Sequence, residues 1–311
     1  MYFQNLDIQK KILKSLDDNG LAVIKNFLDN KIILDIKKKV KKRLNNINYL
    51  KIPSDIKAAS KERKKLKTAT WLPKKYRNHY NNSQFKQPTG EIEKKVDNKI
   101  LKKGYKFYSK YTNSIEFKDP LINFPEISKI VFNKKLFEIA KKFLKESPYL
   151  GYVALRCHFK NNLPNNDFNL YHTDGRTKIT KKNYKLLKFL VPFHLEKKQL
   201  IEFSQIIFKR NKMKTEDFYK LQYSKPNDLP KYLKKKIVNP KVMNGDGFFF
   251  DPDNFLHNAK KPNKLRIMLY IIFIKNKNYM TPKTKNILIS KKFVSNLPPT
   301  LKKSAKFLNK V

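Results

Sequence analysis

The chain has 311 residues, 40% of them apolar and 13% aromatic, with 71 basic against 25 acidic side chains and a formal net charge of +46. That aromatic content excludes a disordered basic tail protein, and the length supports one large domain or two small ones with a sizeable core. The single cysteine, Cys157, excludes an intramolecular disulfide and a zinc–cysteine cluster, and the longest apolar run, "IMLYIIFI" at 267–274, is too short to cross a bilayer.

The N-terminus "MYFQNLDIQKK" has no apolar signal core, so a cytoplasmic location is the expectation. Residues 5–18 have the apolar spacing of a short helix, closed by Gly20. "LAVIKNF" at 21–27 reads as a strand, and 29–44 as an amphipathic helix capped by Asp29 or Asn30. Residues 45–90 are polar and irregular and hold the only tryptophan, Trp71; long loops of this kind are often functional. Residues 124–147 predict one or two helices. Short aromatic and β-branched segments then follow at 149–159, 186–195, 200–208, 247–251 and 265–274, which predicts strands of a sandwich or barrel. A charged insertion at 209–240 predicts helices at 215–222 and 229–237, and 283–311 reads as a basic tail. The whole predicts one α+β domain over 1–282, helical over 1–147 and β-rich over 148–282.

The basic residues are unevenly chosen: seven are arginine (43, 63, 77, 156, 176, 210 and 266), which leaves 64 lysines (71 − 7). A charge of this size suggests a polyanion partner, and a nucleic-acid-associated protein or a polyanion-acting oxygenase is one reading. Nucleic-acid readers lean on arginine, however, and the abundance of Lys, Asn, Ile, Phe and Tyr matches AT-rich codons. Lysine as solvated filler is the preferred reading.

The stretch "NLYHTDGRTK" at 169–178 carries His172 and Asp174 two residues apart. In an extended strand both side chains point the same way and can share a divalent metal, or simply hydrogen-bond each other at a surface. A second histidine, His257, sits between two predicted strands, and Arg266 opens the last of them nine residues on. Two imidazoles and one carboxylate, with positions left open, suit Fe(II) and oxygen chemistry. The open positions take a bidentate 2-oxo acid and O2, and the far carboxylate of such an acid pairs best with a guanidinium.

With those four residues, the chain resembles the phytanoyl-CoA dioxygenase family of Fe(II)/2-oxoglutarate-dependent oxygenases. "DDNGLAVIKNFLDNKIILDIKKKV", "LLKFLVPFHLE" and "GDGFFFDPDNFLHNAKKPNKLRIMLYIIF" extend the resemblance over about 8–44 and 149–275. It implies a double-stranded β-helix core, a jelly roll related to the cupins, with the N-terminal helices packed on one sheet. It also implies Fe(II) held by His172, Asp174 and His257, 2-oxoglutarate held by Arg266, and O2 as the second co-substrate. The implied reaction is hydroxylation of a C–H bond in a small metabolite, acidic or carrier-linked. Related halogenases have a small residue where Asp174 stands, leaving room for chloride, so the carboxylate implies oxygenation. Ala259 and Met268 supply no hydroxyl, which leaves the second polar contact to the co-substrate unassigned.

Arg156, Arg176, Tyr171 and Trp71 are candidates for binding substrate, each set against a bland alternative: a surface ion pair for the arginines, packing for the aromatics. His158 and His194 read as hydrogen-bonded core residues and His79 as exposed. Asp246 reads as holding a turn, and Asp251 and Asp253 as turn residues that could orient His257.

Overall fold

A period of two sorts the strand residues onto two faces, and both faces are buried. On β3 (Tyr149–His158), Val153, Leu155 and Cys157 face one way; on β4 (Leu186–Pro192), Leu187, Phe189 and Val191 do; on β9 (Arg266–Ile274), Ile267, Leu269, Ile271 and Phe273 do. These meet the helices in the main core. Alternation then sends Tyr152, Ala154, Arg156 and His158, Lys188 and Leu190, and Arg266, Met268 and Tyr270 to the opposite face. A bulge at Gly151 adjusts the phase, so that Leu150 and Val153 both join the main core.

This computed structural model of the chain describes residues 6–51, 109, 114–160, 171–174, 185–194, 203–206, 214, 221, 224, 226–260, 262–275 and 287–311. The larger sheet has the order β1-β7-β4-β9-β3-β2, all antiparallel, with β1 Leu21–Ile24, β2 Ser114–Glu116 and β7 Gly247–Phe250. The smaller sheet is β6-β5-β8, with β5 Phe203–Ile206, β6 Ile237–Val238 and β8 His257–Ala259. Isolated bridges at Tyr171 and His172 extend it beyond β8. From β3 onward the chain visits the larger sheet, the 171–172 bridge, β4, then β5 and β6, then β7, β8 and β9. This alternation between two facing sheets is the double-stranded β-helix, a jelly roll.

The N-terminal helices cover the outer face of the larger sheet. α1 (Leu6–Asn19) ends where Gly20 takes φ 68°, a left-handed conformation that costs glycine little. α2 (Asn30–Arg43) starts at Asp29, whose side chain accepts from Ile32 N, and buries Ile33, Ile36 and Val40. The 124–147 segment forms two helices, Pro125–Val131 and α3 (Lys134–Leu144), because Asn133 caps the second by accepting from Lys135 N and Leu136 N. Phe189 lies at the centre of this layer, with Phe27 at 5.0 Å and Phe249 at 4.5 Å between ring centroids. Burying each such side chain fully is worth about 1.5–3 kcal/mol. A Cβ at Gly247 would stand 2.3 Å from Phe189 Cζ, so β7 can pass this ring only with glycine there.

Three expectations change. Residues 287–311, read as a basic tail, pack into the main core through Ile289, Leu301, Ala305 and Leu308, and Ser304 Oγ donates to the Pro148 carbonyl at 2.8 Å. Their lysines (291, 292, 302, 303, 306 and 310) stay exposed, which is why the segment looks solvated in sequence. The helix expected at 229–237 is one turn, Lys231–Lys234, followed by β6, because the β-branched pair Ile237–Val238 joins β5. The 209–240 segment therefore contributes an edge strand to the smaller sheet; the helix expected at 215–222 falls outside the described residues apart from Leu221.

Candidate metal centre

His172 and His257 come from chain segments far apart, yet each donates its backbone N–H to the other's carbonyl, at 3.0 and 2.9 Å. The bridge brings their rings to 4.6 Å between centroids. Asp174, two residues on, is held by its own N–H on the Pro252 carbonyl at 2.8 Å. Its Oδ1 then lies 3.6 Å from His172 Nε2 and 3.8 Å from His257 Nε2. One donor atom from each of the three residues falls within 4.8 Å of the others, and both histidines are buried.

His257 is oriented by the Phe255 carbonyl, 3.2 Å from Nδ1. A donor Nδ1–H there leaves the Nε2 lone pair directed at the Asp174 side. Asp251 holds the turn, its Oδ1 accepting from Asp253 N and Asn254 N, and Asp253 Oδ2 accepts from Leu186 N at the start of β4. The rings of Phe250 and Phe203 stand 5.0 and 6.0 Å from that of His257. Burial first, then the neighbouring His172, pulls the His257 pKa down to about 3, so the ring is neutral and available as a ligand at pH 7.

Lys188, on the inner face of β4, bonds Asp174 Oδ2, the oxygen turned away from the histidines. Burial acts to raise the Asp174 pKa, but the Lys188 charge, with smaller contributions from the two imidazoles and the Lys188 hydrogen bond, holds it well below the usual carboxylate range. Two buried imidazoles, that of His257 neutral, and the ionised, part-buried carboxylate of Asp174 converge into a donor set suited to a divalent first-row metal. Sequence reading missed Lys188. The available signal was a lone lysine at an inward-facing position of the apolar run "LLKFLVPF".

Arg266 lies across from His158 at the start of β9, 4% exposed, and its Nη1 donates to the Lys260 carbonyl at 3.0 Å. Arg156 also points inward, but it is engaged: its Nε and Nη2 bond Glu116 Oε1, the first at 3.1 Å, and its guanidinium lies 5.1 Å over the Tyr270 ring. Glu116 also receives Lys51 Nζ at 2.9 Å and the Tyr152 hydroxyl. Against the raising effect of burial, Arg156 and Lys51 keep the Glu116 pKa far below normal. Tyr171 is buried and its N–H donates to the Ser224 carbonyl at 2.9 Å. Arg176, Trp71 and His79 lie outside the described residues. His158 bonds the Tyr270 hydroxyl at 2.8 Å, and Asp246 holds its turn by accepting from Met243 N and Asn26 N. Among the described residues no helix is long and apolar enough to cross a membrane.

No known family's sequence pattern matches the chain, and no curated protein matches it in sequence. Solved structures are similar in fold. The non-heme α-ketoglutarate-dependent epimerase SnoN from nogalamycin biosynthesis matches with a TM-score of 0.51 at 7% identity, over 87% of this chain and 84% of that one. EctD from S. alaskensis, solved with 2-oxoglutarate and 5-hydroxyectoine, matches with a TM-score of 0.50 at 13% identity, over 90% and 81%.

Proposed function

We propose that this protein is a non-haem Fe(II)- and 2-oxoglutarate-dependent oxygenase, of the phytanoyl-CoA dioxygenase-like kind, that hydroxylates a C–H bond of a small metabolite. The observation that carries this reading is the convergence of His172, Asp174 and His257 on the inner wall of a jelly roll, with Arg266 buried on the facing sheet. The fold likeness to two proteins whose descriptions name α-ketoglutarate or 2-oxoglutarate supports it.

Iron bound by the three side chains would supply dioxygen activation, with 2-oxoglutarate as the co-substrate consumed. The chain's own part is positioning. The Phe255 carbonyl fixes His257, Lys188 occupies the second oxygen of Asp174, and Phe203 and Phe250 wall the imidazole off from water. Arg266 supplies the charge for a carboxylate. The carboxylate at 174 leaves no small-residue opening for a halide, which favours oxygenation over halogenation.

Anaerobic addition of 2-oxoglutarate to the Fe(II)-loaded protein is expected to produce a visible charge-transfer band that Asp174→Ala abolishes. Air should then release succinate slowly even without substrate. Absence of the band, together with no binding of Fe(II) or Mn(II) by calorimetry, would rule the assignment out. A product with one oxygen atom added, rather than an inverted stereocentre, would distinguish hydroxylation from epimerisation.

A further inference from the structure

Arg266 is the middle residue of a row across three strands. On one side β3 places His158 directly opposite it. On the other, the β4–β9 register runs through Pro192 opposite Met268, and continuing it two residues past the end of β4 sets His194 level with Arg266. Phe193 N still donates to the Ile267 carbonyl at 2.9 Å, so the strands remain paired to this point. The return bond differs: Ile267 N donates to the side chain of His194, at 3.4 Å from Nδ1.

That bond determines the tautomer. A ring nitrogen that accepts from an amide carries no proton, so the proton of the neutral imidazole is on Nε2. His194 is fully buried, and among the described residues its Nε2 has no hydrogen-bond partner. His158 is in a different state, with Nε2 already on the Tyr270 hydroxyl. Burial, and next the Arg266 charge, lowers the pKa of His194 to about 3, and His194 in turn acts on His158, which places all three groups in one neighbourhood. His194 thus presents a neutral donor beside a guanidinium, without adding a like charge to it. Buried donors left unpaired are rare, and those beside a cation call for an acceptor that is anionic.

We propose that His194 is the second polar contact for the carboxylate that Arg266 receives, its Nε2–H donating to the distal carboxylate of 2-oxoglutarate. The inference rests on the oxygenase reading above and assigns the contact that neither Ala259 nor Met268 can make. His194 is a positioning residue here: it helps select an acid with a second carboxylate and touches no reacting atom.

The test compares two ligands on the Mn(II)-loaded protein without O2: 2-oxoglutarate, and 2-oxovalerate, which keeps the 2-oxo acid end and replaces the far carboxylate with a methyl. His194→Leu is expected to weaken 2-oxoglutarate binding about ten-fold, equivalent to about 1.4 kcal/mol. It should leave 2-oxovalerate and Mn(II) affinity unchanged. His194→Gln, which keeps an N–H donor, should recover part of the loss. Equal losses for both acids, or no loss for either, would overturn the proposal. Should His194→Leu fail to fold, nitrogen-15 NMR of the wild-type protein decides: the His194 Nε2–H resonance shifts with 2-oxoglutarate and not with 2-oxovalerate, and an unmoved resonance overturns the assignment. If wild type binds neither acid, the oxygenase reading itself fails; if it binds 2-oxoglutarate and the variant is indifferent, only the role of His194 does.

Discussion

Lys188 and Asp174 form an ion pair inside the jelly roll, with the ammonium on the carboxylate oxygen that the two histidines do not face. Side-chain exposure is 14% for the lysine and 23% for the aspartate, so neither charge is well solvated. Removing one partner of a buried pair leaves the other uncompensated. Lys188→Met is therefore expected to destabilise the metal-free protein by about 1–3 kcal/mol, discounted for partial exposure. A divalent metal would restore the lost compensation. Thermal melts with and without Mn(II) should show a larger metal-induced rise for Lys188→Met than for wild type; equal rises would mean that Lys188 and the metal do not share this carboxylate.

Arg266→Leu removes the guanidinium but none of the three metal-binding side chains. A charge-assisted hydrogen bond is worth about 1.5–3 kcal/mol, so 2-oxoglutarate affinity should fall ten-fold or more. Mn(II) affinity measured by calorimetry should stay within about two-fold, a difference of about 0.4 kcal/mol. The variant should also raise the pKa of His194, since the Arg266 charge helps lower it. An unchanged dissociation constant for 2-oxoglutarate would point to another cation.

Stability should fall on the acid side of neutrality. His158, His194 and His257 are all buried with lowered pKa values, the last two at about 3, against about 6.5 in an unfolded chain. Below pH 6.5 the unfolded chain therefore binds more protons than the folded one. Each group's contribution is complete above that pH and is lost as pH falls toward 3, at up to about 1.4 kcal/mol per pH unit. Glu116 and Asp174, held low by their cations, add losses of the same sign at still lower pH. The melting temperature of the metal-free protein should drop steadily from pH 7 to pH 5, and a flat profile would contradict the burial of these rings.

The net charge of +46 should not give tight nucleic-acid binding. Among the described residues, exposed lysines occur on α1 (10, 11 and 14), α2 (31, 38, 41 and 42), the turn at 231–236 and the C-terminal segment (291, 292, 302, 303, 306 and 310), not along one groove. Spread charge gives weak association that salt dissolves. Electrophoretic shifts with duplex and single-stranded DNA should vanish by physiological salt; binding that persists would favour a polyanion partner.

Much of the β-helix was legible because period-two burial and aromatic density mark β3, β4, β7 and β9 directly. The His-x-Asp spacing likewise announces shared geometry, since the short segment bridged to His257 carries both side chains. What escaped is physical in origin. β2 is three residues long, too short for periodicity to register, yet it carries Glu116, the partner of Arg156. The C-terminal segment hides Ile289, Leu301 and Leu308 among lysines, and only the packed core shows which side they take. His194 was read as an ordinary core histidine; the orphaned Nε2 that separates it from His158 depends on a backbone bond no sequence pattern encodes.

The pairing of β3 with β9 joins Tyr149 to Ile274 and His158 to Arg266, segments more than a hundred positions apart in the chain. Closing so long a loop costs entropy before any contact repays it, so folding should be slow and this closure late. The two-residue bridge between His172 and His257 cannot outlive an open sheet. Metal-binding competence should therefore appear with the slowest refolding phase, making a metal-sensitive dye a clock for the final step of folding.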